Sequence, residues 1–287
     1  MQTLSTIEPV DYLIIGHITQ DITTDGLVLG GTASYASLTA KAFGLKVGIV
    51  TSCAPDLHLP ELEGIQVIRK PSTFTSTFKN NYTPAGRIQY IHHVAEKITY
   101  NDVPPAWRNT PIVHLGPLAN EIGPEMARCF PNSQIDITPQ GWLRGWDGDH
   151  IVTYRDWPEA DQVLPHAHAT VMSIEDVQGN EDVVAEFAAL VSILVVTEGA
   201  EGCRVYWKGD VRHFTPPQEN EVDPVGAGDV FASSFFIKLK QTQDPWESAR
   251  FATLVAANSV TRKGILGVPT LSEIQALQTE IVEYPVK

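Results

Sequence analysis

Apolar residues come in short runs, separated by longer stretches in which they recur every three or four positions. The run at 10–16, Val-Asp-Tyr-Leu-Ile-Ile-Gly, ends on a glycine, and residues 32–43 then carry small and apolar side chains over about three helical turns. This is the pattern of a strand with a helix after it. Further strand-length runs lie at 47–51, 112–116, 134–137, 169–172 and 193–197, and residues 180–190 have helical spacing. Strands alternating with helices predict a mostly parallel sheet with helices on both faces. Residues 72–100 break the rhythm. They are rich in Thr, Phe, Tyr and His with partial alternation at 73–78 and 87–91, which predicts antiparallel strands outside the main sheet. Together with residues 21–30 they read as a lid over a cleft. Helical patterns follow at 230–240, 246–261 and 272–282. No internal repeat or linker-like tract interrupts the chain, so residues 1–287 read as one domain.

Composition changes this picture little and charge narrows it. The 287 residues are 43% hydrophobic and 19% charged, with glycine and proline spread throughout, which excludes fibrous and largely disordered classes. A formal net charge of -14 repels a polyanion at long range, so nucleic acid is a poor partner. No apolar run reaches membrane-span length, and residues 1–9 have neither the basic nor the apolar region of a secretory signal; the expectation is a cytoplasmic protein without membrane contact. Cys53, Cys129 and Cys203 are far apart and read as buried thiols. Neither H-e-x-x-H nor a Cys/His cluster is present, and P-loop and dinucleotide fingerprints are lacking as well.

The sharpest local signal is residues 223–229, Asp-Pro-Val-Gly-Ala-Gly-Asp, which lead straight into a helical pattern. Small residues before a helix N-terminus let backbone N–H groups approach a phosphate, and the helix dipole adds positive potential there. A carboxylate in the same turn repels that anion unless it has a task of its own, such as taking a proton from the hydroxyl that attacks the phosphorus. The plainer reading is a tight turn whose acid merely sits in the first helical turn. Spacing does not separate the two.

Residues 223–229 resemble the D-T-x-G-A-G-D signature of the ribokinase (PfkB) family of carbohydrate kinases, with Pro224 in place of Thr. Gly30-Gly31 followed by Thr32, Ala33 and Ser34 resembles the family's Gly-Gly element, and the turn from Gly16 to Asp21 resembles a third. The similarity runs over nearly the whole chain. Residues 202–206 and the run Asp136-Ile137-Thr138-Pro139-Gln140 resemble the branch that includes myo-inositol kinases.

This resemblance implies a three-layer α/β ribokinase-like fold with a mostly parallel central sheet and a small β lid. It further implies an ATP- and Mg2+-dependent kinase acting on a polyol, a cyclitol first and a ribose or nucleoside second. The alternative is a non-catalytic nucleotide- or sugar-binding protein on the same fold. By position, Asp229 is implied as catalytic base and the Gly226, Ala227 and Gly228 amides as anion hole. Asp21, Gly30 and Gly31 are implied at the substrate. Thr197, Gly199, Asn258 and Gly264 are implied at the nucleotide, although Thr197-Glu198-Gly199 taken alone is a strand end and turn. Asp223 is implied beside a monovalent cation, K+ in relatives, and pairing of two copies through the lid is compatible with the family.

Two departures matter. The family's N-x-x-E motif, which supports magnesium through water, reads here as Ser173-Ile174-Glu175-Asp176, leaving Asp176 as the acid; the same residues also fit a helix cap. Tyr35 stands where an amide contacts the sugar, and its ring is expected to offer an apolar face to a flat polyol. Arg144 is a further candidate for substrate or phosphate contact, while Trp142, Trp146 and Trp157 read chiefly as packing.

Overall fold

A computed structural model describes residues 7–24, 26–83 and 86–279, with side chains omitted at 82–87 and 279. The strands are β1 Tyr12–Ile15, β2 Thr19–Thr23, β3 Gly26–Gly30, β4 Val47–Cys53, β5 Gln66–Pro71, β6 Ser76–Thr83, β7 Gly86–His93, β8 Ile112–Leu115, β9 Gln134–Ile137, β10 Arg144–Trp146, β11 Val152–Tyr154, β12 Ala169–Ser173, β13 Ile193–Thr197, β14 Cys203–Trp207 and β15 Asp210–Phe214. The helices are α1 Thr32–Ala42, α2 Ala160–Val163, α3 Glu181–Leu190, α4 Ala227–Thr242, α5 Pro245–Ser259 and α6 Leu271–Thr279. The end of the helical pattern at 280–282, Asp25 and the 84–85 segment of the expected lid lie outside the described residues.

Nine strands form the main sheet in the order β15-β14-β13-β12-β9-β8-β1-β4-β5. From β5 to β13 every neighbour is parallel, and β14 and β15 add an antiparallel edge. Alternation along β1 shows how the sheet is buried on both sides. Tyr12 and Ile14 pack with Ala33, Ala36 and Ile237 of α1 and α4, whereas Leu13 and Ile15 pack with Trp107, Phe130 and Trp142 on the opposite face. Helices lie on both faces, as expected, but unequally. α1, α4 and α5 cover one face; on the other α3 is joined mainly by single 3-10 turns such as Pro105–Trp107 and Pro124–Arg128. Prolines at 104, 105, 111, 117, 124, 131 and 139 remove backbone donors and prevent long helices there. Large aromatic side chains fill the space instead: Trp142 stacks on Trp157 at 4.7 Å between ring centroids, and Trp157 meets Phe187 edge-on.

The second sheet has the order β3-β2-β6-β7 and joins residues 19–30 to residues 76–93. The first expected lid segment, 21–30, begins two residues earlier than expected, and the second, 72–100, is trimmed at both ends. One pairing differs from the expectation: β2 and β6 run parallel, from Thr19 opposite Ser76 to Ile22 opposite Lys79. They come from separate crossovers, not a hairpin. A short ribbon, β10–β11, packs against this sheet through Trp146 and Val152, which lie on Phe78 and Ile91. Cys53 and Cys203 are buried and Cys129 is partly exposed; all three are free thiols. Among the described residues no helix is long and apolar enough to cross a membrane.

Candidate active site

In a parallel sheet all strands finish at one edge, and ligands collect outside that edge. Here β1 leads into His17, β8 into Gly116, β9 into Thr138 and β12 into Ser173. The second sheet and the β10–β11 ribbon bring Asp21 and Arg144 to the same place. α4 begins there too, and Gly226 caps it with φ 81°, a left-handed conformation that favours glycine. A side chain at Gly226 would also overlap the ring of Tyr35, whereas an added Cβ at Gly228 would meet nothing within 4 Å. The turn is thus closed beneath Gly226 and open at Gly228.

Asp229 lies in the first turn of α4 and is partly buried. Loss of hydration raises its pKa to about 6; a hydrogen bond from the Thr32 hydroxyl and the charge of Arg144 pull in the other direction, while Asp176 and Asp21 raise it further. These causes define a constellation: three carboxylates and one guanidinium close enough to feel each other. A carboxylate with this pKa is ionised above about pH 6 and close enough to neutrality to be able to take a proton. Among the described residues no group of three or more histidines, cysteines or acids lies close enough together to hold a metal ion.

The remaining candidates fall into two groups. Asp21 belongs to the cleft: an added Cβ at Gly30 would come within 2.5 Å of its Oδ2, so Gly30 makes room for that carboxylate. Gly31 caps α1 at φ 87°. Arg144 lies with its guanidinium carbon 5.7 Å from the Phe78 ring centroid. Asp176 closes a capping box: its Oδ2 accepts from the Ser173 amide while Ser173 Oγ accepts from the Glu175 amide. Its Oδ1 accepts from Gln140 Nε2 at 2.9 Å. Capping and a place in the acidic constellation therefore coexist in one residue.

At the other end of the turn, Asp223 accepts from the amides of Val225 (3.0 Å) and Gly264 (2.9 Å), tying the two loops together. Asn258 Oδ1 accepts from Arg262 Nη2, a contact between the last turn of α5 and the loop after it. Thr197 ends β13, and Gly199 opens the next turn with φ 59°.

Two expectations are corrected. Tyr35 is only 3% exposed; its ring is packed with Val230, Phe251, Val255 and Ile274 under Gly226, so it offers no free face to a polyol. The Ala227 amide donates to the Pro224 carbonyl at 3.2 Å, leaving the anion-hole expectation to its neighbours. Trp142 and Trp157 are packing residues, as expected. Thr32, Gly116 and Gln140 escaped the sequence reading. Thr32 passed there as one of several small residues after the Gly pair, and Gln140 as part of a branch-like run with no role.

The pfkB family carbohydrate kinase profile matches residues 157–271. An inositol 3-kinase from Oryza sativa subsp. japonica is 26% identical over 312 aligned positions, covering 98% of this chain and 75% of the relative. Among solved structures, a pyrophosphate-dependent kinase in the ribokinase family, complexed with a pyrophosphate analog and myo-inositol, superposes with a TM-score of 0.75 at 19% identity, over 92% of this chain and 99% of its own. An Arabidopsis thaliana ribokinase complexed with ribose and ATP gives 0.73 at 17% identity, over 96% and 100%. At such identities the structures establish the fold, which is ribokinase-like. The match to the pfkB family carbohydrate kinase profile spans the Gly226 turn, α4 and α5, and over nearly its whole length the chain is similar to an inositol 3-kinase.

Proposed function

We propose that this kinase transfers the γ-phosphoryl group of ATP to a hydroxyl of a cyclitol of the myo-inositol type. The observation that carries the reading is Asp229: a carboxylate with its pKa near 6, set at a helix N-terminus beside an open glycine and facing Asp21 and Arg144. The attacking hydroxyl gives its proton to Asp229 as its oxygen forms the new bond to phosphorus, and the bond from phosphorus to the bridging oxygen breaks to release ADP. Amides at the start of α4 and the Arg144 guanidinium stabilise the negative charge that develops. Asp21 accepts hydrogen bonds from the substrate's hydroxyls and so orients the one that reacts. Mg2+, when bound, would neutralise phosphate charge, with Asp176 supporting it through water. The small sheet closes the cleft against water.

The choice of a cyclitol rests on the rice relative that spans nearly the whole chain, and no longer on Tyr35. Pairing of two copies through the small sheet, where Leu27 and Val28 are exposed, belongs to the same reading and is read out by sedimentation velocity. The decisive experiment for the substrate is an acceptor screen. Purified protein is given MgATP, or pyrophosphate as second donor, with inositols, ribose, fructose, fructose 6-phosphate and nucleosides. Inositols are expected to give the highest kcat/KM. A ribosyl compound ahead of them by about 100-fold, roughly 2.7 kcal/mol of transition-state preference, would overturn the cyclitol assignment.

A further inference from the structure

Besides the cleft, the molecule has a cavity of about 450 Å³ that none of the candidate active-site residues lines. Its walls come from residues 94–97 after β7, residues 119–121 after β8, and the β10–β11 ribbon with Arg155. The volume is that of a small-molecule site. Lys97 and Arg155 line it; both are exposed, and neither forms an ion pair among the described residues. On a chain of net charge -14, two unpaired cations on one cavity favour an anion. The Arg155 stem lies along Gly145, where an added Cβ would come 3.4 Å from Arg155 Cβ and 3.6 Å from its Cδ. Trp146, partly buried against Phe78 and Ile91, is the aromatic wall. Two acids are also present. Glu121 is buried and its oxygens accept from the His17, Leu118 and Ala119 amides, so its charge is already answered. Glu96 is exposed, and its carboxylate is left as an acceptor for hydroxyls.

We infer that this cavity is a second ligand site, for the phosphomonoester of a polyol, and that its occupancy slows the kinase. Lys97 and Arg155 take the phosphate, Trp146 takes the C–H face of the ring, and Glu96 and Asn120 take hydroxyls. The walls are tied to the parts that close the cleft. The Glu96 carbonyl accepts from His17 Nε2 at 2.9 Å, and the Ala95 amide donates to Ser76 Oγ, at the start of β6, at 2.9 Å. Asn120, at a left-handed φ of 57°, donates through Nδ2 to the Arg144 carbonyl at 2.8 Å. A ligand spanning the cavity therefore fastens the stem of the small sheet to the ribbon that carries Arg144. Opening is slowed, which lowers kcat instead of competing with the acceptor. The product of the proposed reaction belongs to this ligand class, but the cavity's chemistry stands independently of that reading.

The test is calorimetric titration without nucleotide, using myo-inositol 1-phosphate and ribose 5-phosphate as probes and inorganic phosphate as reference. Asp21→Ala, which disables the cleft, should keep saturable binding of at least one ester. Lys97→Gln combined with Arg155→Gln should weaken that binding about tenfold or more at an unchanged thermal midpoint, since both side chains are exposed. Inorganic phosphate should bind about tenfold more weakly than the ester, having no ring for Trp146. In assays at saturating acceptor, the ester should lower kcat of the wild-type chain and leave that of the cavity double variant unchanged. Binding lost in Asp21→Ala, or retained in full by the double variant, would overturn the site. Equal affinity for inorganic phosphate would overturn the polyol class, and purely competitive inhibition the regulatory coupling. Calorimetry needs no turnover, so a failure of the proposed reaction leaves the binding result readable.

Discussion

Asp229 carries a cost that follows from its chemistry. Its pKa is raised on folding, so the folded chain holds more protons than the unfolded one between the ordinary carboxylate value of about 4 and about 6. Stability therefore falls as pH rises through that window and levels off above it. Asp229→Asn should raise the thermal midpoint by about 2–4 °C at neutral pH, a gain that disappears at pH 4; calorimetry at the two pH values checks it. Asp176 makes a different prediction. Gln140 and the Ser173 amide hold its two oxygens, so Asp176→Ala should raise the Mg2+ concentration for half-maximal activity about tenfold. An unchanged magnesium titration would leave only the cap. At this scale the acids were legible in the sequence because their motif spacing survives. Thr32 and Gly116 were not, because their pairing joins residues 84 positions apart, through a methyl and a missing Cβ, and leaves no local pattern.

Among the elements, the small sheet is fastened to the large one by a buried histidine. His17 follows β1; its Nε2 donates to the Glu96 carbonyl at 2.9 Å, and its Nδ1 bonds Ser76 Oγ at 2.8 Å. Ser76 opens β6 and accepts from the Ala95 amide, so one side chain clamps both stems of the β6–β7 hairpin. Glu121 completes the clamp by accepting from the His17, Leu118 and Ala119 amides. Ser76→Ala leaves a ring nitrogen and an amide without this partner, costing about 1–3 kcal/mol of stability. It should also raise ATP hydrolysis relative to acceptor phosphorylation, since a looser lid admits water; equal coupling in the variant would contradict the clamp. The parallel strands were readable because burial on both faces makes them continuous apolar runs. β10 and β11, three residues each, are too short to show a period, and the β14–β15 hairpin turns on Lys208-Gly209, both at positive φ, a signal overlooked among the parallel strands.

For the molecule as a whole, the two faces of the sheet divide the work. The α1–α4–α5 face supplies regular helices, and two of their N-termini, those of α1 and α4, deliver Thr32 and Asp229 to one edge. The opposite face is aromatic packing between prolines and carries the loops that bring Gln140 and Arg144 to the same edge. Alternation of strands and helices made the first face legible. The second depended on proline placement and tryptophan stacking, which fix contacts without periodicity. Everything in this division converges on one claim, that Asp229 takes the proton from the alcohol that attacks phosphorus. Acceptor phosphorylation with MgATP and myo-inositol, followed side by side for the wild-type chain and Asp229→Asn, tests it most directly. The account predicts a kcat lower by about 100-fold or more in the variant, with nucleotide affinity little changed; near-normal turnover in Asp229→Asn would contradict it.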